Sequence, residues 1–181
     1  MDEMLKEQIL DFIAPCSLLC YSCPGFTRGI FCELSGRLHN YFEGFYEFRV
    51  NTSPEENKSR ADLLRMFVDT LSRLAKPRCN GCRHNPDPDS CIKGCFILEC
   101  TQEHGIDFCG ECKLFPCSKV DTTLFHPVVY NHWIKGNKRI REVGVEQFFE
   151  EEKGKSHHID WVGCCCQGKM SGFIVQRFCQ S

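Results

Sequence analysis

No run of about 18 apolar residues occurs in the chain, which speaks against a membrane-spanning helix. The first residues, Met1-Asp2-Glu3-Met4-Leu5-Lys6-Glu7, have neither the basic start nor the apolar run of an export signal. Charge of one sign is also lacking. The net charge is −2, so no global basic field draws in nucleic acid. No Ser/His/Asp set, glycine-rich phosphate loop or metal-hydrolase motif appears, which favours a non-catalytic role. Together these absences give the expectation of a cytoplasmic protein with no membrane segment, with nucleic acid disfavoured as a partner.

What the sequence has in abundance is cysteine, 16 in 181 residues. A disulfide framework belongs to short exported domains. This chain is longer, and its cysteines come in close sets: Cys16/Cys20/Cys23, Cys79/Cys82 and Cys109/Cys112. Two thiolates separated by two residues suit one metal ion better than a bond to each other. The chemistry expected is therefore metal ligation in an intracellular chain.

The central pattern is Cys79-x2-Cys82-x8-Cys91-x3-Cys95-x4-Cys100-x8-Cys109-x2-Cys112-x4-Cys117. Zinc takes four soft ligands in a tetrahedron. The two knuckles Cys79/Cys82 and Cys109/Cys112 can close one site, leaving Cys91, Cys95, Cys100 and Cys117 for a second. The pairing itself is left open by the spacing. Gly81 and Gly110 give the tight turns room. Thiolates suit iron–sulfur clusters as well as zinc, so zinc is the first expectation and a [4Fe-4S] cluster the alternative. The N-terminal triplet Cys16-x3-Cys20-x2-Cys23 is also the spacing that radical-SAM enzymes use. Those enzymes carry an aromatic residue before the third cysteine, where this chain has Ser22, and they need a βα barrel that the pattern does not provide. A third structural zinc site, closed by Cys32 or a distant residue, is the simpler reading.

Around the cysteines the periodicity is helical. Residues 3–13 read as a short helix ended by Pro15, and residues 33–48 as a second. The second carries an aromatic stripe, Leu34, Leu38, Tyr41, Phe42, Phe45 and Phe48, read as ordinary core. Residues 54–76 read as the best helix. Ser53-Pro54-Glu55-Glu56 caps it, and Leu63, Leu64, Phe67, Val68, Leu71 and Leu74 form its buried face. Residues 78–120 are too poor in apolar residues for a conventional core, and metal bonds are expected to hold them. Residues 127–154 return to helix, broken near Gly144. Lys135 to Arg141 and Glu146 to Glu152 read as solvated faces, and His132 as structural. The tail, with Cys164, Cys165, Cys166 and Cys179, reads as a degenerate ribbon-like segment in which His157 or His158 can stand in as ligand.

The stretches Ala14-Pro15-Cys16-Ser17-Leu18-Leu19-Cys20-Tyr21-Ser22-Cys23-Pro24, Arg78-Cys79-Asn80-Gly81-Cys82, Cys95-Phe96-Ile97-Leu98-Glu99-Cys100 and Gly105-Ile106-Asp107-Phe108-Cys109-Gly110-Glu111-Cys112-Lys113-Leu114-Phe115-Pro116-Cys117, with His132-Trp133 and Arg139-Ile140-Arg141-Glu142-Val143-Gly144-Val145-Glu146 downstream, carry a resemblance. The chain resembles the prokaryotic cysteine-rich family catalogued as domain of unknown function 3795. The resemblance implies a metal-binding domain, presumed to hold zinc, and no reaction. That family commonly has glycine after the first cysteine, where this chain has Ser17. Longer members finish with a zinc ribbon, from which this tail departs.

The expected fold is α-rich, with small irregular cysteine-ligated metal knuckles and a degenerate zinc-ribbon-like tail. Residues 1–125 are read as a cysteine-rich metal-binding domain with knuckles at 16–32 and 79–117. Residues 126–155 are a helical extension, and 156–181 the cysteine tail. Cys16, Cys20, Cys23, Cys79, Cys82, Cys91, Cys95, Cys100, Cys109, Cys112 and Cys117 are the candidate ligands. The expected function is that of an intracellular zinc protein acting as a non-catalytic interaction or accessory module with a protein partner. The alternative is an iron–sulfur protein with a redox or sulfur-handling role.

Overall fold

The computed structural model of the chain describes residues 3–52, 58–84, 95–120, 123 and 125–156. The capping segment expected at residues 53–56, Cys91 and the whole cysteine tail lie outside these residues. The described residues are helix-rich and contain no strand; two isolated bridges, Ile13 to Leu19 and Phe26 to Cys79, are the only β pairings among them. Six α-helices follow in order: α1 Glu3–Phe12, α2 Ile30–Thr52, α3 Lys58–Leu74, α4 Ile97–Glu103, α5 Pro127–Val143 and α6 Val145–Glu152. Helix α4, with buried Ile97 and Thr101, falls inside a segment whose apolar content is too sparse for periodicity to mark a helix.

The N-terminal cysteine loop is stitched to both downstream knuckles through backbone. Thr27 N–H donates to the Cys79 carbonyl at 2.9 Å and Cys79 N–H to the Gly25 carbonyl at 3.1 Å. Cys109 N–H donates to the Pro15 carbonyl at 3.1 Å. Arg83 adds a side-chain tie: its guanidinium donates to the carbonyls of Leu10 and Asp107 and lies over the Phe108 ring. Phe12 packs on Tyr21 and Phe26 and stacks on Phe149 of α6, which joins α1 to the C-terminal helices. One core gathers Ala14, Phe26, Ile97, Phe125 and Trp133 with Cys16 and Cys20; a second gathers Ile9, Ile13, Phe108, Ile140 and Phe148.

Helices α2 and α3 form an antiparallel hairpin. Cys32 Sγ meets the Ala75 carbonyl, the Phe42 and Phe67 rings meet edge to face, and Arg65 lies over Tyr46. On α3, Val68 and Leu71 are buried as the periodicity predicts. Leu63 and Phe67, however, are 70% and 43% exposed. The α2 stripe departs further from expectation: Leu34, Leu38, Tyr41, Phe45 and Phe48 are all exposed, and of that set only Phe42 turns towards α3. The reason is a rotation of one residue. Positions 32, 35, 39, 42, 46 and 49 form the packed seam, so the richer stripe beside it looks outward.

Helix α5 crosses the N-terminal loop at a glycine. A Cβ placed on Gly136 would stand 2.3 Å from Ser17 Oγ and 2.7 Å from Ser17 Cβ. Ser17 itself has φ +67 and is fully buried, with its hydroxyl unpartnered. The left-handed backbone explains why a glycine is natural at this place, and Ser17 carries the strain of departing from it. His132, one turn away, meets the Ser17 carbonyl at 3.3 Å, in keeping with a structural role. Gly136→Ala is expected to lose about 1–3 kcal/mol of stability through overpacking. Ser17→Gly in the same chain should restore most of it, because the clashing atoms are gone. Denaturant titration of both single variants and the double variant checks this; purely additive losses would contradict the contact.

Candidate metal centre

The eleven described cysteines are all free thiols. Seven of them, Cys16, Cys20, Cys23, Cys82, Cys95, Cys109 and Cys112, lie in or beside the core that holds Trp133 of α5. Burial raises the pKa of Cys16 well above the ordinary thiol range, with Cys82, Cys95 and Cys20 as further contributors to the rise. Cys23 is raised by burial and by its neighbour Cys79. Burial also raises Cys95. Cys109 is pushed up to about 11 by burial, with Cys100, Cys95 and Cys112 as its thiol neighbours. The neighbourhoods therefore join the N-terminal triplet to Cys79/Cys82 and Cys95, and join Cys109/Cys112 to Cys100 and Cys95. Cys32 faces the end of α3 through its bond to the Ala75 carbonyl, away from the role of fourth ligand to the triplet.

A second feature is the direction of nearby N–H groups. In two cases the amide two residues on donates to the sulfur, Gly81 to Cys79 and Lys119 to Cys117; the amides of Leu18, Gly25 and Ile97 lie near Cys16, Cys23 and Cys95 and hold down part of the rise that burial gives those thiols. For Cys79 and Cys117 the N···S distance is 3.4 Å. Donors aimed at sulfur favour the thiolate over the thiol and oppose the effect of burial. Near Cys109 the opposing donor is Trp133. Its indole N–H is fully buried with no partner at hydrogen-bonding geometry, yet it lies close enough to hold down part of the rise in the Cys109 pKa.

Cys100, Cys109, Cys112 and Cys117 line one apolar pocket together with Phe115, Trp133 and His104. His104 Nδ1 is within 2.8 Å of the Cys100 carbonyl. Even so, among the described residues no three His, Cys, Asp or Glu side chains close on one point as ligands do. The sulfurs, with N–H groups near several of them, are donors of the kind a thiophilic metal takes. The sulfurs are gathered without having converged.

Helix α5 holds the Cys109–Cys112 knuckle from outside. Asn137 Oδ1 accepts the Gly110 N–H at 2.7 Å, and Arg141 donates to the carbonyls of Gly110 at 2.6 Å and Cys112 at 2.9 Å. Gly110 is required by this approach: a Cβ there would lie 2.5 Å from the Asn137 carbonyl oxygen. Gly81, by contrast, serves its turn with φ +85, as the sequence predicts. Arg141 is thus part of the clamp, and Arg139 is paired with Glu151, whose carboxyl that bond lowers to about 2. Neither is simply a solvated charge. The signal in sequence was the spacing of Trp133, Asn137 and Arg141, three polar-tipped residues four apart on one helix face.

The family described as protein of unknown function (DUF3795) matches residues 12–122, and the chain belongs to that family. No curated protein and no solved structure matches the chain. The clamp residues of α5 lie beyond the matched region while holding a knuckle inside it. Asn137→Ala would leave the buried Gly110 N–H without its acceptor. A loss of about 1–3 kcal/mol is expected from the denaturation midpoint. A change within about 0.5 kcal/mol, the range of an ordinary surface substitution, would remove Asn137 from the clamp.

Proposed function

We propose that this member of the DUF3795 family is a metal-binding protein whose thiolates hold structural zinc, and that it serves as a non-catalytic interaction or accessory module inside the cell. The observation that carries the reading is the gathering of cysteines in and beside one core, with the amides of Gly81 and Lys119 donating to the sulfurs of Cys79 and Cys117. Hydrogen bonds of this kind are the outer partners that tune and orient metal-bound thiolates. Cys16, Cys20, Cys82 and Cys95 form the first ligand set in this proposal. Cys100, Cys109, Cys112 and Cys117 form the second, and Cys23, Cys79 and Cys91 are the remaining donors. When bound, zinc supplies cross-links between segments that are too poor in apolar residues to hold themselves. Among the described residues no helix is long and apolar enough to cross a membrane.

One observation favours a second reading for the second set. Its pocket wall is almost wholly apolar, and the Trp133 N–H lies near one of its sulfurs. Apolar burial and N–H···S bonds are what tune iron–sulfur clusters, so a [4Fe-4S] cluster is the alternative occupant there. Anaerobic purification with metal analysis and a visible spectrum separates the two. Colourless protein with about two to three zinc ions per chain is expected. Brown protein with stoichiometric iron and sulfide would overturn the zinc reading.

A variant tests the same site from the protein's side. Trp133→Phe keeps one aromatic ring and removes the N–H together with the five-membered ring that carries it. Metal affinity is expected to fall by about ten- to a hundredfold, as for loss of an outer-shell partner. Competition with a chromophoric chelator measures it, with helicity as the control for folding. Unchanged affinity in a folded variant would show that the indole does not support a ligand sulfur.

A further inference from the structure

The α2 stripe that sequence periodicity assigns to the core has no covering partner among the described residues. Phe31, Leu34, Leu38, Tyr41, Phe45 and Phe48 follow one another at intervals of three and four without a break, a period of 3.5. Their exposures run from 41% to 78%. The seam that α2 presents to α3 lies one residue further on, at positions 32, 35, 39, 42, 46 and 49, and is buried or half-buried throughout. Helix α3 repeats the arrangement. Its packed seam is Leu64, Val68, Leu71 and Ala75, and one residue back stand the exposed Leu63 and Phe67, the latter with one side of its ring on Phe42.

In an antiparallel pair, stepping one residue back from the packed seam turns both helices towards the same side of the hairpin. The exposed residues of α2 and α3 therefore form one continuous face. Taking roughly 150–250 Å² for each of the five aromatic side chains and somewhat less for the three leucines, these eight, about half exposed, present on the order of 700–800 Å². That is about what each partner contributes to a standard stable interface, and more than the few hundred Å² that monomers commonly leave bare.

We infer that this face is a homodimer interface: the α2–α3 hairpin of one copy packs on the hairpin of a second to complete a four-helix bundle. Three observations choose a second copy as the occupant. The 3.5-residue period is the packing repeat of helices against helices, not of a helix against a flat surface. The area matches a self-complementary two-fold interface. From Phe31 to Phe48 the stripe positions carry no charge, so an identical face is not repelled, while the charges alongside, Glu33, Arg37 and Glu47, are not basic overall and lack the Lys/Arg-rich flank of a helix that docks on an anionic lipid surface. The inference does not depend on which metal, if any, the cysteines hold.

Sedimentation equilibrium of the full chain, reduced and under anaerobic conditions to keep thiols from cross-linking, tests it. The mass of two copies is expected. Tyr41→Glu and Leu63→Glu alter the two most exposed positions of the face, 78% and 70% exposed, so each should fold with unchanged helicity by circular dichroism. Each should weaken self-association by at least tenfold. A wild-type chain with the mass of one copy overturns the inference. So does a two-copy mass that persists undiminished in both folded variants. A full chain that stays monomeric while a chain ending at Ser156 dimerises would place residues 157–181 on the face instead. Monomeric wild-type protein that binds vesicles of phosphatidylcholine and phosphatidylserine would replace the second copy with a membrane.

Discussion

The structure depends on the contact between α5 and the irregular cysteine loops. Loops of this kind bring their backbone N–H and C=O groups into the interior, and each such group needs a partner there. Asn137 and Arg141 supply those partners for the Cys109–Cys112 knuckle, while Gly136 lets the same helix lie directly on Ser17. One helix face thus fixes two segments about 90 residues apart in sequence, and the cysteines they carry come together as a consequence. The helix that a composition-based reading treats as an extension is the element that organises the domain.

The cysteines themselves stand between two roles. As thiols they behave as small apolar residues and fill the core beside Phe26, Ile97 and Trp133. Burial favours the thiol at Cys16, Cys23, Cys95 and Cys109, whose pKa values it raises. The amides directed at their sulfurs act in the opposite sense and favour the ionised form. A protein that needed only packing would have no use for such donors, and an aliphatic residue would pack as well. The coexistence of apolar surroundings and aligned N–H groups is the physical signature on which the metal reading rests.

The hairpin of α2 and α3 is governed by different forces. Its helices hold each other through an apolar seam of their own, with Phe42 against Phe67, and reach the cysteine core only at one end. Two seams one residue apart on the same helix give it two packing surfaces. The chain itself covers one. The other has the spacing of a helix–helix interface, so the hairpin is constructed to be packed on both sides.

Helix positions were legible in the sequence because periodicity is a local property. The starts and ends of α1, α5 and α6 follow from apolar spacing, from Pro127 and from the break at Gly144. The same periodicity could not distinguish the packed seam of α2 from its neighbour, since residues 31, 34, 38, 41, 45 and 48 repeat as regularly as 32, 35, 39, 42, 46 and 49 and are the more apolar. Which stripe faces inward is set by the angle at which α3 docks, and that is a long-range property. Cysteine spacing likewise marked every candidate ligand, yet left the grouping open: a two-residue gap says that two sulfurs are neighbours and says nothing of the third and fourth. The sequence by itself determined the helices other than α4 and the thiol inventory. Only the tertiary structure decided that the first cysteine loop lies on both knuckles, that α5 clamps the second of them, and that glycine is required at 136 and 110, because each of these rests on contacts between segments remote in the chain.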